Sequence, residues 1–443
     1  MVSDNHMLSL SIVDQYHLNI KVEIDAQIKS AKVQVYYFYP APLSDHSDIF
    51  SPTFFYQNLL QKQSLVRAKP ISIETIKNDL LLLRQYAYAK AQDNAKKYVT
   101  ALSNFVIGIN QILLKLQPEQ LTVVAELIES FQGIHDNESQ LTHHKLYLLA
   151  NHQLIYYFNQ ALLKSKSQKT KAERAYIDPL LTKINQYADT HNLKLTSRSD
   201  DDREKLLRRL HMGRRIINTP YKVRRKKLKG GAVAEQLIFG FAAALAMAFA
   251  TGVAFATQKA FGNFSTPFFI SLVLSYIFKD RIKELGRNYL MEKFFSHFFQ
   301  HHYRFHANDG TRLIDIKETY YRQQQQQLSK SIIAILKRVN HSERDRLDVA
   351  FVHQRSYFSQ ATNNKHKKFL DELTINLSKS LRLLPKVISP HWYESESQIK
   401  QTKVHKVHTI HLVIVLQHNG ETHHYHYKLY VSRKGMHRIE NKT

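Results

Sequence analysis

Cysteine is absent from the 443 residues, and glycine (12), proline (10) and tryptophan (1) are scarce. Without thiols the chain forms no disulfide, holds no thiolate-bound metal and runs no cysteine nucleophile. Little glycine leaves little material for loops that cradle phosphate, and neither G-x-x-x-x-G-K-[ST] nor G-x-G-x-x-G occurs. H-E-x-x-H and G-x-S-x-G are missing as well. No catalytic residue or cofactor is therefore assigned from the sequence, and the reading leans away from an enzyme. Acidic residues are in deficit: 37 Asp+Glu stand against 63 Lys+Arg, a formal charge of +26. Such an imbalance predicts attraction to an anionic partner, a phosphate backbone or a lipid surface. Met1–Asp14 lacks a basic stretch followed by an apolar core, so no secretory signal is expected there.

What the chain does have is one long run without charge. Leu237–Thr257 reads LIFGFAAALAMAFATGVAFAT. A helix rises about 1.5 Å per residue, so some 20 such residues cross about 30 Å of hydrocarbon. A shorter apolar run, Phe264–Phe278, follows after a turn around Gln258, Lys259, Gly262 and Asn263. Basic clusters bracket the pair. Lys222, Arg224, Arg225, Lys226, Lys227 and Lys229 precede it; Lys279, Arg281, Lys283 and Arg287 follow. Positive residues stay on the cytoplasmic side, so the pattern predicts a two-helix transmembrane hairpin with both termini cytoplasmic, in a bacterial inner membrane. Gly240, Ala244, Ala248 and Gly252 recur every fourth residue, as do Ser271 and Ser275 in the second run. Small side chains at this spacing let backbones approach in lipid, and the expectation is that they seal the two helices together; a homo-oligomer is the other use of such a stripe. Glu235, just inside the first helix, is expected at headgroup level, paired with Lys227 or Lys229.

The predicted organisation is a mixed α+β membrane protein in four parts. Residues 1–50 form a small antiparallel β-meander, read from alternation in His17–Asp25 and Val33–Tyr39. Residues 51–221 form a helical cytoplasmic region, with Ser72 capping one long helix that runs to about Leu116. Residues 222–287 are the hairpin and its flanks. Residues 288–443 form a C-terminal α+β cytoplasmic domain. There, Asp280–Arg304 is expected to continue as a helix, Leu328–Val339 and Lys368–Leu384 to be helical, and Gln323–Gln327 to lie in a helix. Asn419-Gly420 is a strong two-residue hairpin signal. It pairs Ile410, Leu412, Ile414 and Leu416 with Leu429, Tyr427, Tyr425 and His423 on a face expected to be the core.

His411, His424 and His426 fall on the opposite face of that hairpin and are its candidate metal ligands, since histidines at i and i+2 on a strand can share an ion. Asp200–Asp202 follow Ser199 and read as a helix start rather than a metal site. Arg203–Lys229, with Tyr221 inside it, carries charge enough for nucleic acid; its place directly before the membrane run makes anionic lipid the preferred partner. The leading expectation is a two-pass membrane protein whose cytoplasmic parts act as scaffold, sensor or partner-recruiting module. An oligomerising, membrane-permeabilising effector and a membrane-tethered metal-dependent enzyme are the alternatives.

Overall fold

The structure, a computed structural model, describes residues 2–5, 7–25, 28–44, 46–68, 71–88, 92–114, 120–134, 143–168, 176–196, 199–228, 232–262, 265–295, 299–339, 346–359, 367–386, 388–395 and 398–442. The chain is mixed α+β and divides into two compact units, Met1–Val66 with Val223–Thr443, and Arg67–Lys222.

The first unit opens with strands β1 (Val2–Asn5), β2 (Leu8–Ile12), β3 (His17–Ile24) and β4 (Ser30–Phe38). Short helices α1 (Ala41–Ser44) and α2 (Pro52–Gln57) lead into β5 (Leu59–Arg67). The second unit contributes α3 (Ile73–Tyr86), α4 (Gln92–Leu114), α5 (Leu121–Gly133), α6 (His144–Gln168), α7 (Ile177–Thr190) and α8 (Asp200–Ile217). The chain then returns through β6 (Val223–Leu228) to two long helices, α9 (Ala232–Phe261) and α10 (Thr266–Phe295). Strands β7 (His301–Ala307) and β8 (Arg312–Gln324), helix α11 (Lys330–Lys337), strands β9 (Val349–Ser359) and β10 (Lys367–Asn376), and helix α12 (Ser378–Leu381) follow. The end of the chain is all strand: β11 (Ile388–Ser395), β12 (Gln398–His405), β13 (His408–His418), β14 (Glu421–Ser432) and β15 (Gly435–Asn441).

Two sheets build the first unit. One has the order β1-β2-β3-β10-β5, the other β15-β14-β13-β4-β9-β8-β7-β6, and β11-β12 form a separate exposed ribbon. Leu10, Leu18, Ile20 and Val22 of the smaller sheet and Ile316, Tyr357, Leu412 and Ile414 of the larger are all buried. The other face of the larger sheet is covered too. Ile332 and Leu336 of α11 cluster with Tyr36, Phe38, Val352, Val413 and Val415. The second unit is a helical bundle around Phe105, Phe131, Leu154 and Phe158. The Ser72 hydroxyl accepts from Thr75 N–H at 3.2 Å, and the Ser199 hydroxyl from Asp202 N–H at 3.2 Å, with three aspartates in the first turn of α8. The Asp triplet thus sits where the helix dipole favours negative charge.

Several expectations are corrected. The meander is β1-β2-β3; β3 then pairs with β10, while β4 pairs with β13 and β9 in the other sheet. The short β3–β4 connection does not force pairing: β4 is flanked by β13 and β9, which occupy both of its edges. The helical stretch from residue 51 contains β5, and the long helix from Ser72 is two helices, α3 and α4. Residues 368–376 belong to β10, and only the four residues of α12 (Ser378–Leu381) in the expected helix 368–384 are helical. The helix after the membrane run stops at Phe295, and His301–Ala307 is a strand. The glutamine run closes β8 and a single 3-10 turn.

The C-terminal hairpin has the register its turn dictates: Ile410↔Leu429, Leu412↔Tyr427, Ile414↔Tyr425 and Leu416↔His423. Asn419 (φ 49°) and Gly420 (φ 86°) supply the two left-handed residues of the turn. One further glycine is required by geometry. Gly435 has φ 137°, and a Cβ there would meet the Gln15 carbonyl oxygen at 2.5 Å, while Met436 N–H donates to that same oxygen at 2.7 Å.

Candidate functional site: the apolar helix pair and its basic base

Helices α9 and α10 pack on each other antiparallel. Contacts step evenly away from the turn: Ser271 donates to Thr257 Oγ1 at 3.0 Å, a Cβ on Gly286 would sit 3.8 Å from that of Ala242, and Arg287 lies over the Phe239 ring at 4.6 Å. The side chains turned toward α10 are Ala242 and Ala246, both buried, with Val253 and Thr257 half-buried. Ser275, buried, and Ser271, half-buried, meet them from α10.

The expected small-residue seal is therefore displaced around the helix. Gly240, Ala244, Ala248 and Gly252 are exposed, and nothing lies within 4 Å of a Cβ built on Gly240 or Gly252. The contact stripe is offset from them by two residues, which is more than half a turn. Alanine occurs so often in α9 that two parallel stripes satisfy the every-fourth-residue rule, and the spacing alone does not choose between them.

Outward, the pair is apolar. Leu237 (69% exposed), Phe241, Leu245, Met247, Phe249 and Phe255 of α9 are exposed, as are Phe269 (68%), Ile270, Leu272, Val273, Leu274, Ile277 and Phe278 of α10. Such contiguous apolar exposure far exceeds what soluble surfaces carry singly. The segment Gln236–Phe261 is long and apolar enough to cross a membrane, and only 11% of its most apolar window is buried. The core helix of a soluble fold would be mostly covered. The two-helix expectation is corrected here: α10 is as long as α9, but only α9 is both long and apolar enough among the described residues. The uncharged part of α10 runs from Thr266 to Phe278, roughly 20 Å of helix. Beyond it, Lys279, Asp280, Arg281, Lys283, Glu284 and Arg287 stand level with apolar residues of α9. Lys279 lies over the Tyr276 ring at 4.1 Å, and Arg281 lies 3.7 Å from Glu284.

The basic residues ahead of α9 are not a loose juxtamembrane tail. Arg224, Arg225, Lys226 and Lys227 lie on β6, the edge strand of the larger sheet, paired with β7 from Val223↔Ala307 to Leu228↔His302. All four are exposed. Arg225 stacks over the Tyr303 ring at 5.0 Å, and Arg224 donates to Asn308 Oδ1 at 3.2 Å. Charge on an edge strand also blocks pairing with a second sheet. The helix pair thus leaves and rejoins the sheet through two neighbouring strands. Lys222 is exposed at the end of the helical unit. Lys229 and the Glu235 side chain lie outside the described residues.

Sequence reasoning missed a second cluster altogether. Glu318 (0% exposed) and Arg355 (1%) on the larger sheet meet Asp371 on β10 of the smaller one. Arg355 Nη1 lies 2.6 Å from Glu318 Oε1, and Nη2 lies 2.9 Å from Asp371 Oδ2. His353 Nε2 is 2.6 Å from the same Glu318 oxygen; a carboxylate only accepts, so His353 presents Nε2–H. Gln61 donates to Glu318 at 3.0 Å, Gln63 to Asp371 at 2.9 Å, and Tyr357 to Asp371 at 2.8 Å. Burial alone would raise the Glu318 carboxyl, but the Arg355 charge and the His353 and Gln61 hydrogen bonds overcome it and hold it down to about 2. Burial, then the Asp371 charge, pushes the Tyr357 phenol well above its ordinary range. The cluster clamps the two sheets from a position closed to solvent.

The candidate metal ligands are split. His411 Nδ1 lies 3.1 Å from His426 Nε2, and both rings are buried on the face that α11 covers. That face is interior, not the wet face the alternation implied. His424, half-buried, makes no group of three ligands with them. A surface cavity of about 220 Å³, lined by Tyr39, Phe50, Arg322, Arg346 and Phe351, is smaller than usual ligand pockets. No protein-family model, curated protein or solved structure matches this chain.

Proposed function

We propose that this chain is a two-pass bacterial inner-membrane protein, with both termini cytoplasmic and its α+β parts serving as a non-enzymatic scaffold or partner-recruiting module at the membrane surface. One observation carries the reading: α9 and the first half of α10, packed on each other, leave large apolar side chains exposed along their outer faces. In lipid that surface is matched; in water it would cost about 25 cal/mol per Å². The exposed cations of β6 sit at the base, where anionic headgroups attract them at about 1 kcal/mol each. The expected result is that full-length protein pellets with membranes, resists high-salt washing and is released by detergent. Both termini resist protease added to intact spheroplasts. Protein left in the supernatant without detergent would overturn the anchor; digested termini would overturn the orientation.

The exposed stripe of Gly240, Ala244, Ala248 and Gly252 supports a second reading, in which copies associate within the bilayer and permeabilise it. On that reading Gly240→Leu with Gly252→Leu abolishes depolarisation and growth arrest on overexpression, while membrane association persists. Depolarisation unchanged by the double variant would exclude the stripe as the contact.

A further inference from the structure

The turn of the C-terminal hairpin gathers three side chains that sequence reasoning did not combine. His418 pairs directly with Glu421 across the Asn419-Gly420 turn, and His423 pairs with Leu416 two residues further in. In an antiparallel ladder residues two apart share a face, so His418, Glu421 and His423 lie on one side of the ribbon. Their ligand atoms all fall within 4.8 Å of one another, and no other such group occurs among the described residues. The His418 and His423 rings stack with centroids 5.4 Å apart at 20°, and His423 Nε2 is 3.4 Å from Glu421 Oε2.

We propose that His418, Glu421 and His423 bind one divalent transition ion of the zinc class. Two imidazoles and one carboxylate are a donor set for such an ion and not for calcium or magnesium, which take oxygen. Ligands of one zinc stand about 2.0–2.2 Å from it, so donor atoms within 4.8 Å need only side-chain torsions to converge. The backbone beneath them is fixed by the two-residue turn, so little order is lost on binding. His418 Nδ1 is shielded from solvent and has no hydrogen-bond partner among the described residues. An ion, or a turn of the ring that an ion would select, supplies what that nitrogen lacks. At this ribbon tip the two histidines are half-buried and Glu421 is exposed, so water or a partner's side chain can complete the coordination.

Zinc titrated into the full chain in detergent micelles tests this. One equivalent is expected to bind at micromolar concentration. His423→Ala and Glu421→Gln should each weaken that binding, the histidine variant by at least 10-fold. His391→Ala and His437→Ala, at exposed histidines elsewhere in the chain, should leave it unchanged. X-ray absorption at the zinc edge should report two imidazoles and an oxygen shell. Wild-type affinity in the His418→Ala/His423→Ala double variant would overturn the proposal, as would the absence of any saturable binding to wild type. A thermal melt of each variant separates lost ligands from lost fold.

Discussion

Arg355→Met is expected to destabilise the first unit by about 3–5 kcal/mol, the usual result of removing one partner from a buried ion network. The guanidinium bridges Glu318 and Asp371, and it is 1% exposed. Methionine fills a similar volume but leaves two carboxylates facing each other in the dry space between the sheets. Chemical denaturation reads the loss directly. The pH dependence gives a sharper signature, because its sign reverses. In wild type the Glu318 carboxyl is depressed to about 2 from 4.5. The stability this contributes is complete above the unfolded value and is lost as pH falls through the range down to about 2. At about 1.4 kcal/mol per unit this amounts to roughly 3 kcal/mol. Without Arg355, burial becomes the dominant influence and raises the carboxyl, so the folded state takes up protons that the unfolded state does not. The variant should gain stability between pH 7 and pH 4, where wild type gains none. A variant that loses less than 1 kcal/mol, or keeps the wild-type pH slope, would show that the network does not hold the sheets together.

If the proposed anchor is right, excising the helix pair should leave a chain that stays in solution without unfolding it. Leu228 pairs with His302 across the β6–β7 ladder. The two cut ends are already neighbours, about 5 Å apart at Cα. A four-residue glycine-rich turn between them closes an ordinary hairpin. The buried clusters of both units, centred on Ile332 and Val413 in one and Phe105 and Phe131 in the other, contain no residue of α9 or α10. The excised protein is expected in the supernatant, monodisperse, with a melting temperature within a few degrees of the parent in detergent. Aggregation would mean that the helices are structural core, and continued pelleting would place the lipid contact elsewhere on the surface.

The contrast between these two regions explains what could be read from residues alone. Hydrophobicity without charge needs no tertiary context, so α9 was legible, and so were the Asn419-Gly420 turn, whose backbone angles two residues impose, and the Ser72 and Ser199 caps. The strands that carry the ion network were not. In β10 the inward positions are Phe369, Asp371, Leu373 and Ile375. The buried aspartate breaks the period of two, and Phe369, Leu373 and Leu377 at every fourth residue imitate a helix. In β9 the inward residues include His353 and Arg355, which no hydropathy pattern assigns to a core. The metal candidates failed for a related reason. Alternation separates the two faces of a strand but does not reveal that α11 covers the second, so His411 and His426 were placed in water. The small-residue stripe failed by degeneracy, since α9 offers alanine on more than one side.

The unequal uncharged lengths of α9 and α10 carry a consequence for the proposed two-pass arrangement. The packing of α9 on α10 holds both helices to one depth scale, so the bilayer must satisfy the shorter of them. A thin membrane leaves Lys279 and Arg281 at its boundary. A thicker one drags them, with Asp280, toward hydrocarbon at about 2.5–3.5 kcal/mol for each charge brought to the centre. The anchor would then act as a gauge, retaining the chain wherever the bilayer is thin and releasing it from regions that are not.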